Sequence, residues 1–168
     1  VWPATAVRPL VRAGWALEHL LPVSIVAFLA LAYRRLQLSD VSYACLAAFL
    51  TLHAVGAHWG YEAVPGGDRL APLLGLGGAG GARNAFDRLV HLAFGLLGAY
   101  PLRELLLWQT GRRRGWAGAL AVQAVVALSA VYEILEWLLA RAVAPEVGRA
   151  FVGAQGDAWD AQKDMALA

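Results

Sequence analysis

Charged side chains are scarce in this sequence. Asp, Glu, Lys and Arg make up only 15% of its 168 residues, whereas an ordinary soluble domain carries roughly a quarter. Apolar residues account for 60%, and the mean hydropathy is +0.54. This composition excludes an ordinary water-soluble domain and indicates a protein that crosses a membrane several times.

Cysteine is also nearly absent. Cys45 is the only one, which excludes a disulfide within the chain and a metal site built from several thiolates. The net charge is only +2, and Lys and Arg stand at the ends of apolar segments instead of forming a patch. We therefore expect no nucleic-acid partner. The Gly75–Gly81 run lacks the Gly-Lys-Ser/Thr ending of a phosphate loop and is interpreted as a plain loop.

Four apolar runs are long enough to cross a bilayer, which takes about 20 helical residues. The predicted spans are residues 15–33, 41–60, 88–108 and 116–140, separated by loops at 62–84 and 141–156. A last helix is predicted from about residue 157, but the sequence ends at residue 168, after about 18 Å of helix. We therefore predict one all-α integral-membrane domain, residues 1–168. It is a polytopic transmembrane bundle of four spans plus the start of a fifth helix.

Positive charge orients the bundle, because short cytoplasmic loops are rich in Lys and Arg. Arg34-Arg35 and the run 112–114 follow the first and third spans, so these turns are predicted to be cytoplasmic. Ionisable side chains from all five predicted helices then fall in the outer half of the membrane, at one depth. They are Glu18, His19, His53, His58, Asp87, His91, Glu133, Glu136, Asp157, Asp160 and Asp164.

Ionisable groups inside a bilayer are costly and usually face a bundle interior. Asp87 and His91 are four residues apart and Glu133 and Glu136 three, so each pair shares a helix face. Carboxylate and imidazole ligands together suit a divalent metal such as Zn, Mn or Fe. The predicted ligands are Asp87, His91, Glu133, Asp157, Asp160 and His58, with Glu136 or Asp164 as catalytic base. Such a site would activate water to hydrolyse a lipid or envelope substrate.

Simpler interpretations of the same residues stay open. Asp87 would cap the third span, Asp157 or Asp160 the last helix, and the two glutamates would form structural ion pairs with Arg83, Arg88 or Lys163. The protein would then be a non-enzymatic small subunit of a larger membrane complex, or a cation- or proton-binding membrane protein. Its partners would be the lipid bilayer and another membrane protein or a second copy of the chain.

Five ordered motifs carry a family resemblance. They are His53-x4-His58-Trp59-Gly60-Tyr61, Arg83-Asn84-x-Phe86-Asp87-Arg88-x2-His91, Arg103-Glu104-Leu105, Tyr132-Glu133-x2-Glu136-Trp137 and Gly153-x-Gln155-Gly156-Asp157-x-Trp159-Asp160-x-Gln162-x-Asp164-Met165. In this order they resemble the bacterial inner-membrane family of the YjdF type, whose function is unknown. The arrangement is more distantly similar to VanZ-like proteins, which are known for glycopeptide-antibiotic resistance.

The resemblance implies a multi-pass protein of the bacterial inner membrane and supplies no reaction. This sequence departs from the family at two motifs. It has Ala57-His58-Trp59-Gly60-Tyr61 and Val90-His91-Leu92 where the family usually has Gly-His-Tyr-Thr-Tyr and Gly-His-Phe. The ionisable positions are retained in both. Because the family's first and last hydrophobic segments have no counterpart here, we expect the chain to be truncated at both ends.

Overall fold

The computed structural model describes residues 2–73, 83–110, 114–143, 145–152 and 154–168, and no strand occurs among them. This confirms the all-α prediction. The helices are α1 (Trp2–Thr5), α2 (Arg12–Glu18), α3 (Leu20–Ala32), α4 (Asp40–Trp59), α5 (Leu70–Leu73), α6 (Phe86–Thr110), α7 (Arg114–Ala142), α8 (Pro145–Val152) and α9 (Asp160–Leu167), with a 3-10 turn at Gly67–Arg69. The glycine run 75–81 lies outside the described residues.

Four segments are long and apolar enough to span a membrane: Arg12–Ala32, Asp40–Trp59, Phe86–Thr110 and Gly115–Ala142. Two sequence predictions about the segments between and after them are wrong. The predicted loop at 141–156 contains the helix α8. The last helix begins at Asp160 and not near Asp157, so Asp157 lies in the preceding turn and does not share a helical face with Asp164.

The first span consists of two helices, α2 and α3, which meet at His19. Pro22 lies in the first turn of α3. Because proline has no N–H, the carbonyl of Glu18, four residues earlier, receives no helical hydrogen bond from residue 22. The ring Nε2–H of His53 in α4 donates to that carbonyl instead, at 2.9 Å. The hydrogen bond at this break between α2 and α3 thus connects the first span to α4.

At one end of the bundle, Glu104 ties α6 to the start of α4. Ser39 caps α4, and its Oγ accepts the backbone N–H of Ser42. The carboxylate oxygen Oε2 of Glu104 accepts the Ser39 N–H at 2.9 Å and the Ser42 hydroxyl at 2.7 Å. Glu104 therefore fixes two spans relative to each other.

At the other end, α4 closes with Gly60 in the left-handed conformation (φ 64°), followed by Tyr61, which is also left-handed. The Tyr61 N–H donates to the carbonyl of Gly56 at 2.9 Å, and its ring folds back onto Gly56. A Cβ at Gly56 would lie 2.5 Å from a ring carbon of Tyr61. The ring is thereby buried against Phe86 and Val90 of α6.

Helix α6 is central, because it packs against α4 on one side and α7 on the other, while α9 rests on both α6 and α7. Helix α8 packs against α7 and α2. Helix α3 makes close backbone contacts mainly with α2 and few with α4, α6 or α7. Its apolar side chains are correspondingly exposed, Leu31 at 88%. A space therefore remains between α3 and the other three spans.

The closeness of Tyr61 to Gly56 makes a testable prediction. In Gly56→Ala the added methyl group would overlap the Tyr61 ring, so the ring must move. The hydrogen bond between the Tyr61 hydroxyl and His53 Nδ1, 2.7 Å long, would then be lost. We expect the free energy of unfolding to fall by about 1–3 kcal/mol. Thermal unfolding of the purified protein in detergent measures this. Gly118→Ala is the matched control, since a Cβ there meets nothing within 4 Å, and it is expected to leave the midpoint unchanged or slightly raised. Equal midpoints for the two variants would contradict the prediction.

Candidate functional site

The acidic side chains at the α6 N-terminal end of the bundle fall into two groups that differ in their partners. The first group, which we call the arginine lock, consists of Arg83, Arg88, Asp157 and Asp160. Arg88 Nη2 donates to Asp157 Oδ2 at 2.8 Å and to Asp160 Oδ1 at 3.1 Å, and Arg83 also pairs with Asp160. Arg88 and Asp160 are buried. Within the lock, each aspartate therefore has a cation directly against it.

Lys163 adds a third cation to the lock at its exposed edge. Its Nζ donates to Asp157 Oδ2 at 2.6 Å. Hydrogen bonds from this ammonium, from the Trp159 N–H and from Arg88 hold the pKa of Asp157 well below its usual range, against a small opposing effect of desolvation. Asp157 is therefore ionised at physiological pH. Its Oδ1 also accepts the N–H of Trp159, the residue before α9, so it orders the turn that leads into that helix.

An amide pair reinforces the lock at the same place. The side chain of Gln155 accepts the N–H of Asn84 and donates to the carbonyl of Asn84, both at 3.0 Å. The Asn84 side chain in turn donates to the Val64 carbonyl and accepts the N–H of Phe86, the first residue of α6. The backbone and the side chain of Asn84 thus join three segments by hydrogen bonds. These are the segment before α9, the start of α6 and the loop after α4.

The second group, the acidic cluster, consists of Asp87, His91, Glu133 and Asp164 from α6, α7 and α9. One ligand atom from each of Asp87, His91 and Asp164 lies within 4.8 Å of the other two. His91 Nε2 is 3.7 Å from Asp87 Oδ1 and 3.5 Å from Glu133 Oε1. Three helices therefore bring three carboxylates and one imidazole to a single point.

Carboxylate oxygens of the acidic cluster lack the partners that the lock provides. Asp164 is 2% exposed, yet its Oδ1 accepts no hydrogen bond from the described residues, and neither does Glu133 Oε1. The nearest cation, Arg88 Nε, is 3.9 Å from Asp164 Oδ1, too far for a hydrogen bond. Buried polar atoms are nearly always paired. These two oxygens are exceptions to that rule among the residues that the structure describes.

A third set of polar side chains, the tyrosine wall, lies beside the cluster and consists of Glu18, His53, Tyr61 and Tyr132. Since His53 Nε2 donates to a carbonyl, its neutral ring accepts the Tyr61 hydroxyl at Nδ1, at 2.7 Å. The Tyr132 hydroxyl donates to Glu18 Oε2 at 3.0 Å, and the Tyr132 ring meets the His91 ring edge-on. Tyr132 thus connects the wall to the acidic cluster.

A cavity of about 320 Å³ lies between α3, α4, α6 and α7. Its ionisable lining is concentrated at one end, where it is formed by the tyrosine wall together with Asp87, His91 and Glu136. Ser129, one helical turn before Tyr132 on α7, adds a hydroxyl to the lining. Almost all the remaining lining is aliphatic or aromatic, from Leu21 and Leu46 to Leu105 and Leu135. The cavity is therefore polar at the acidic cluster and apolar along the rest of its length.

The structure distributes the predicted site residues among these groups. Asp87, His91, Glu133 and Asp164 meet in the acidic cluster, and Glu136 lines the cavity next to them. Asp157 and Asp160 lie in the lock. His58 is apart from both, with Nδ1 bonded to the Thr5 carbonyl.

The predicted structural pairing of Glu133 and Glu136 with Arg83, Arg88 or Lys163 is wrong. These three cations pair with Asp157 and Asp160 instead, because the turn before α9 brings those aspartates to the start of α6. Asp87 lies within the first turn of α6, whereas the N–H of Phe86 is bonded by Asn84. Asp87 is therefore free of the capping role that the sequence left open.

Comparison with known proteins identifies the family of the chain. All of it, residues 1–168, matches DUF2238, described as a predicted membrane protein. The chain belongs to this family. It is 36% identical over 153 residues to the inner membrane protein YjdF of Escherichia coli K12, which covers 90% of this chain and 70% of that protein. No solved structure matches.

The DUF2238 assignment confirms the resemblance to the YjdF-type family. The chain is an integral, multi-pass protein of the inner membrane, in agreement with its four apolar helices. A relation to VanZ-like proteins stays a prediction.

Sequence reasoning did not include the tyrosine wall in the site of this DUF2238 protein. A signal for Glu18 was present, because Pro22 stands four residues later and frees its carbonyl. His53 is five residues from His58 and does not share a helix face with it, so the sequence offers no imidazole pair there. No local pattern predicts that Tyr61 would turn back onto Gly56 and reach His53, since that depends on how the chain leaves α4.

The arginine lock can be tested by removing its buried cation. Arg88→Met leaves the buried carboxylate of Asp160 with only part of its compensation, so we expect the free energy of unfolding to fall by about 3–5 kcal/mol. Thermal or denaturant unfolding in detergent provides the measurement. Arg69→Met, at an exposed arginine, is the control. The double variant Arg88→Met/Asp160→Asn should recover part of the loss. If Arg88→Met unfolds like Arg69→Met, the lock does not hold α9 in place.

Proposed function

We propose that the acidic cluster binds one divalent metal ion and that this membrane protein hydrolyses an ester bond of a lipid or envelope substrate. The observation that carries the proposal is the convergence of Asp87, His91 and Asp164, with their ligand atoms within 4.8 Å of one another and the Asp164 oxygen unpartnered. The proposed ligands are these three residues. Asp164, which the sequence analysis gave as a candidate catalytic base, is proposed here as a metal ligand.

The donor set supports a divalent ion. Two carboxylates and one imidazole suit Zn, Mn or Fe better than Mg or Ca, which prefer oxygen ligands alone. Three protein ligands leave a coordination position for water, as in catalytic zinc sites. A cation would also offset the mutual repulsion of Asp87, Glu133 and Asp164, to which no cation of the described residues donates a hydrogen bond. Both the ligand types and the charge balance favour a metal.

Glu133 is the proposed general base. It lies 3.5 Å from His91 Nε2, next to the ligands, and its Oε1 accepts no hydrogen bond from the described residues. A metal ion held by Asp87, His91 and Asp164 would lower the pKa of a water molecule. Glu133 would accept a proton from this water as the water oxygen bonds to the acyl carbon or phosphorus of the ester. Glu133 would then return that proton to the leaving alcohol as the ester bond breaks. Glu136, which lines the cavity nearby, is the second candidate for this base.

The lock gives Asp157 and Asp160 a positioning role in this proposal. Asp160 and Asp164 are one helical turn apart on α9. When the two arginines hold Asp160 at the start of α6, Asp164 is directed at Asp87 and His91. His58 is left out of the ligand set, because its ring lies against α1, where it bonds the Thr5 carbonyl, and it is not among the residues whose ligand atoms converge with that of Asp164.

A non-enzymatic function is the second candidate. The buried ion pairs of the lock favour it, because such pairs serve to fix helices relative to one another. In this alternative the chain is a subunit of a larger membrane complex, or binds a cation without turnover. Metal analysis and assays of turnover separate the two functions.

Metal content is the first test. Protein purified without chelators is expected to hold about one divalent ion per chain, and Asp87→Asn or Asp164→Asn should lower the content at least about tenfold. Elemental analysis measures this directly. Asp68→Asn, an exposed carboxylate, is the matched control and should leave the content unchanged. Protein that holds no ion and takes up none from added Zn, Mn or Fe would disprove the metal site.

Glu133→Gln tests the proposed base. This variant should retain its metal and lose hydrolysis by a factor of about 10²–10⁴, because its amide cannot accept the proton. The measurement is release of products from bacterial lipid extract, followed by mass spectrometry, with and without chelator. Asp68→Asn serves again as control. If Glu133→Gln loses its metal, Glu133 is a ligand. If wild-type protein with bound metal releases no product, the non-enzymatic alternative holds.

A further inference from the structure

The cavity above the acidic cluster has the form of a binding site for an amphiphile. We propose that it takes a lipid with one hydrocarbon chain, with its polar end at the acidic cluster and its chain along α6. This deepens the proposed function, on which it rests for what happens at the polar end. The binding of the chain itself depends only on the cavity, so the two can be tested separately.

The apolar part of the cavity follows one face of α6. On this helix the lining includes Asp87, Val90, Phe94, Gly98, Pro101 and Leu105. These residues follow one another at steps of three or four, which keeps them on one side of the helix. From Asp87 to Leu105 the helix rises about 27 Å. That length approaches the thickness of about 30 Å of a bilayer's hydrocarbon core. The site is thus long and runs along the spans.

The volume of the cavity decides between possible occupants. An α-helix with side chains is about 10–12 Å across. A space of that width and about 27 Å in length would leave on the order of 1,000–1,800 Å³ for the centres of water molecules of about 1.4 Å radius. The cavity, measured in the same way, has about 320 Å³, several times less, and is therefore too narrow for a transmembrane helix. A space this long and this small in volume fits a single flexible hydrocarbon chain. A lipid with two chains side by side would be too wide.

The lining also matches the two ends of a lipid. The charged and hydroxyl-bearing groups lie at one end, where an ester or headgroup would be hydrogen-bonded and would reach the acidic cluster. The remainder offers almost no polar partner, which suits a hydrocarbon chain and excludes a sugar or a peptide. The loose packing of α3 on the other spans leaves a lateral opening, through which a chain can enter from the bilayer.

Binding of a defined probe tests the proposal. The probe is hexadecanoyl lysophosphatidylethanolamine, titrated into the purified protein in detergent and counted by native mass spectrometry. The comparison lipid is phosphatidylethanolamine with two hexadecanoyl chains. We expect the single-chain lipid to bind at one site, at least about tenfold more tightly than the two-chain lipid. Equal binding of both lipids, or binding of neither, would overturn the proposal.

Two filled-cavity variants localise the site, each with a matched control. Gly98→Leu and Leu102→Trp place bulk in the cavity and should weaken the single-chain lipid at least about tenfold. Gly118→Leu and Leu96→Trp add the same side chains outside the lining, at an open glycine and at an exposed leucine of α6, and should bind like wild type. Thermal unfolding confirms that each variant is folded. Normal binding by a folded Leu102→Trp protein would contradict the placement.

Metal dependence separates this proposal from the proposed function. Lipid binding is measured with chelator and in Asp87→Asn protein as well. If the protein binds the single-chain lipid but no metal, the cavity assignment stands and the hydrolytic function fails. If it binds metal but not the lipid, the metal site stands and the cavity assignment fails.

Discussion

The ion pairs between two arginines at the start of α6 and two aspartates before and at the start of α9 are the constraint on which the site depends. Helix α9 is short and polar and buries Asp160 and Asp164 instead of an apolar face. Buried ion pairs add little stability on balance, because desolvation offsets their attraction, but they penalise every arrangement in which a charge is left alone. Since the lock holds Asp160 against Arg83 and Arg88, it also determines where Asp164, one helical turn later on α9, is placed.

The two groups of carboxylates illustrate how a membrane protein can treat the same residue type in opposite ways. In the lock each aspartate meets a cation at hydrogen-bond distance. One helical turn further along α9, Asp164 meets a glutamate, an aspartate and a histidine, and its nearest cation is out of range. Uncompensated acids at this depth are costly. The fold thus pairs the two aspartates of the lock with cations and leaves the carboxylates of the acidic cluster next to one another. This difference is the basis of the proposed metal site.

Hydropathy was sufficient to predict the all-α class and the four spans, because a bilayer requires long apolar helices. The spacing of Asp87 and His91 likewise predicted a shared face. The partners were not predictable in the same way. That Arg88 would meet Asp157 and not Glu133 depends on the turn before α9, where Gln155 pairs with Asn84. Helix α8 and the start of α9 at Asp160 were missed because tertiary packing decides where such short polar helices begin and end.

The break in the first span links the fold to the chemistry. Pro22 frees the Glu18 carbonyl, and His53 takes it, which orients the imidazole so that its other nitrogen meets Tyr61. The Glu18 carboxylate accepts a hydrogen bond from the hydroxyl of Tyr132, the residue before Glu133. A straight helix would bond that carbonyl internally and leave His53 without this partner. Pro22 thus sets up the hydrogen bonds of the polar end of the cavity. Because a new helix, α3, begins at Leu20, it can lie apart from α4 and α7, and the apolar part of the cavity stays open.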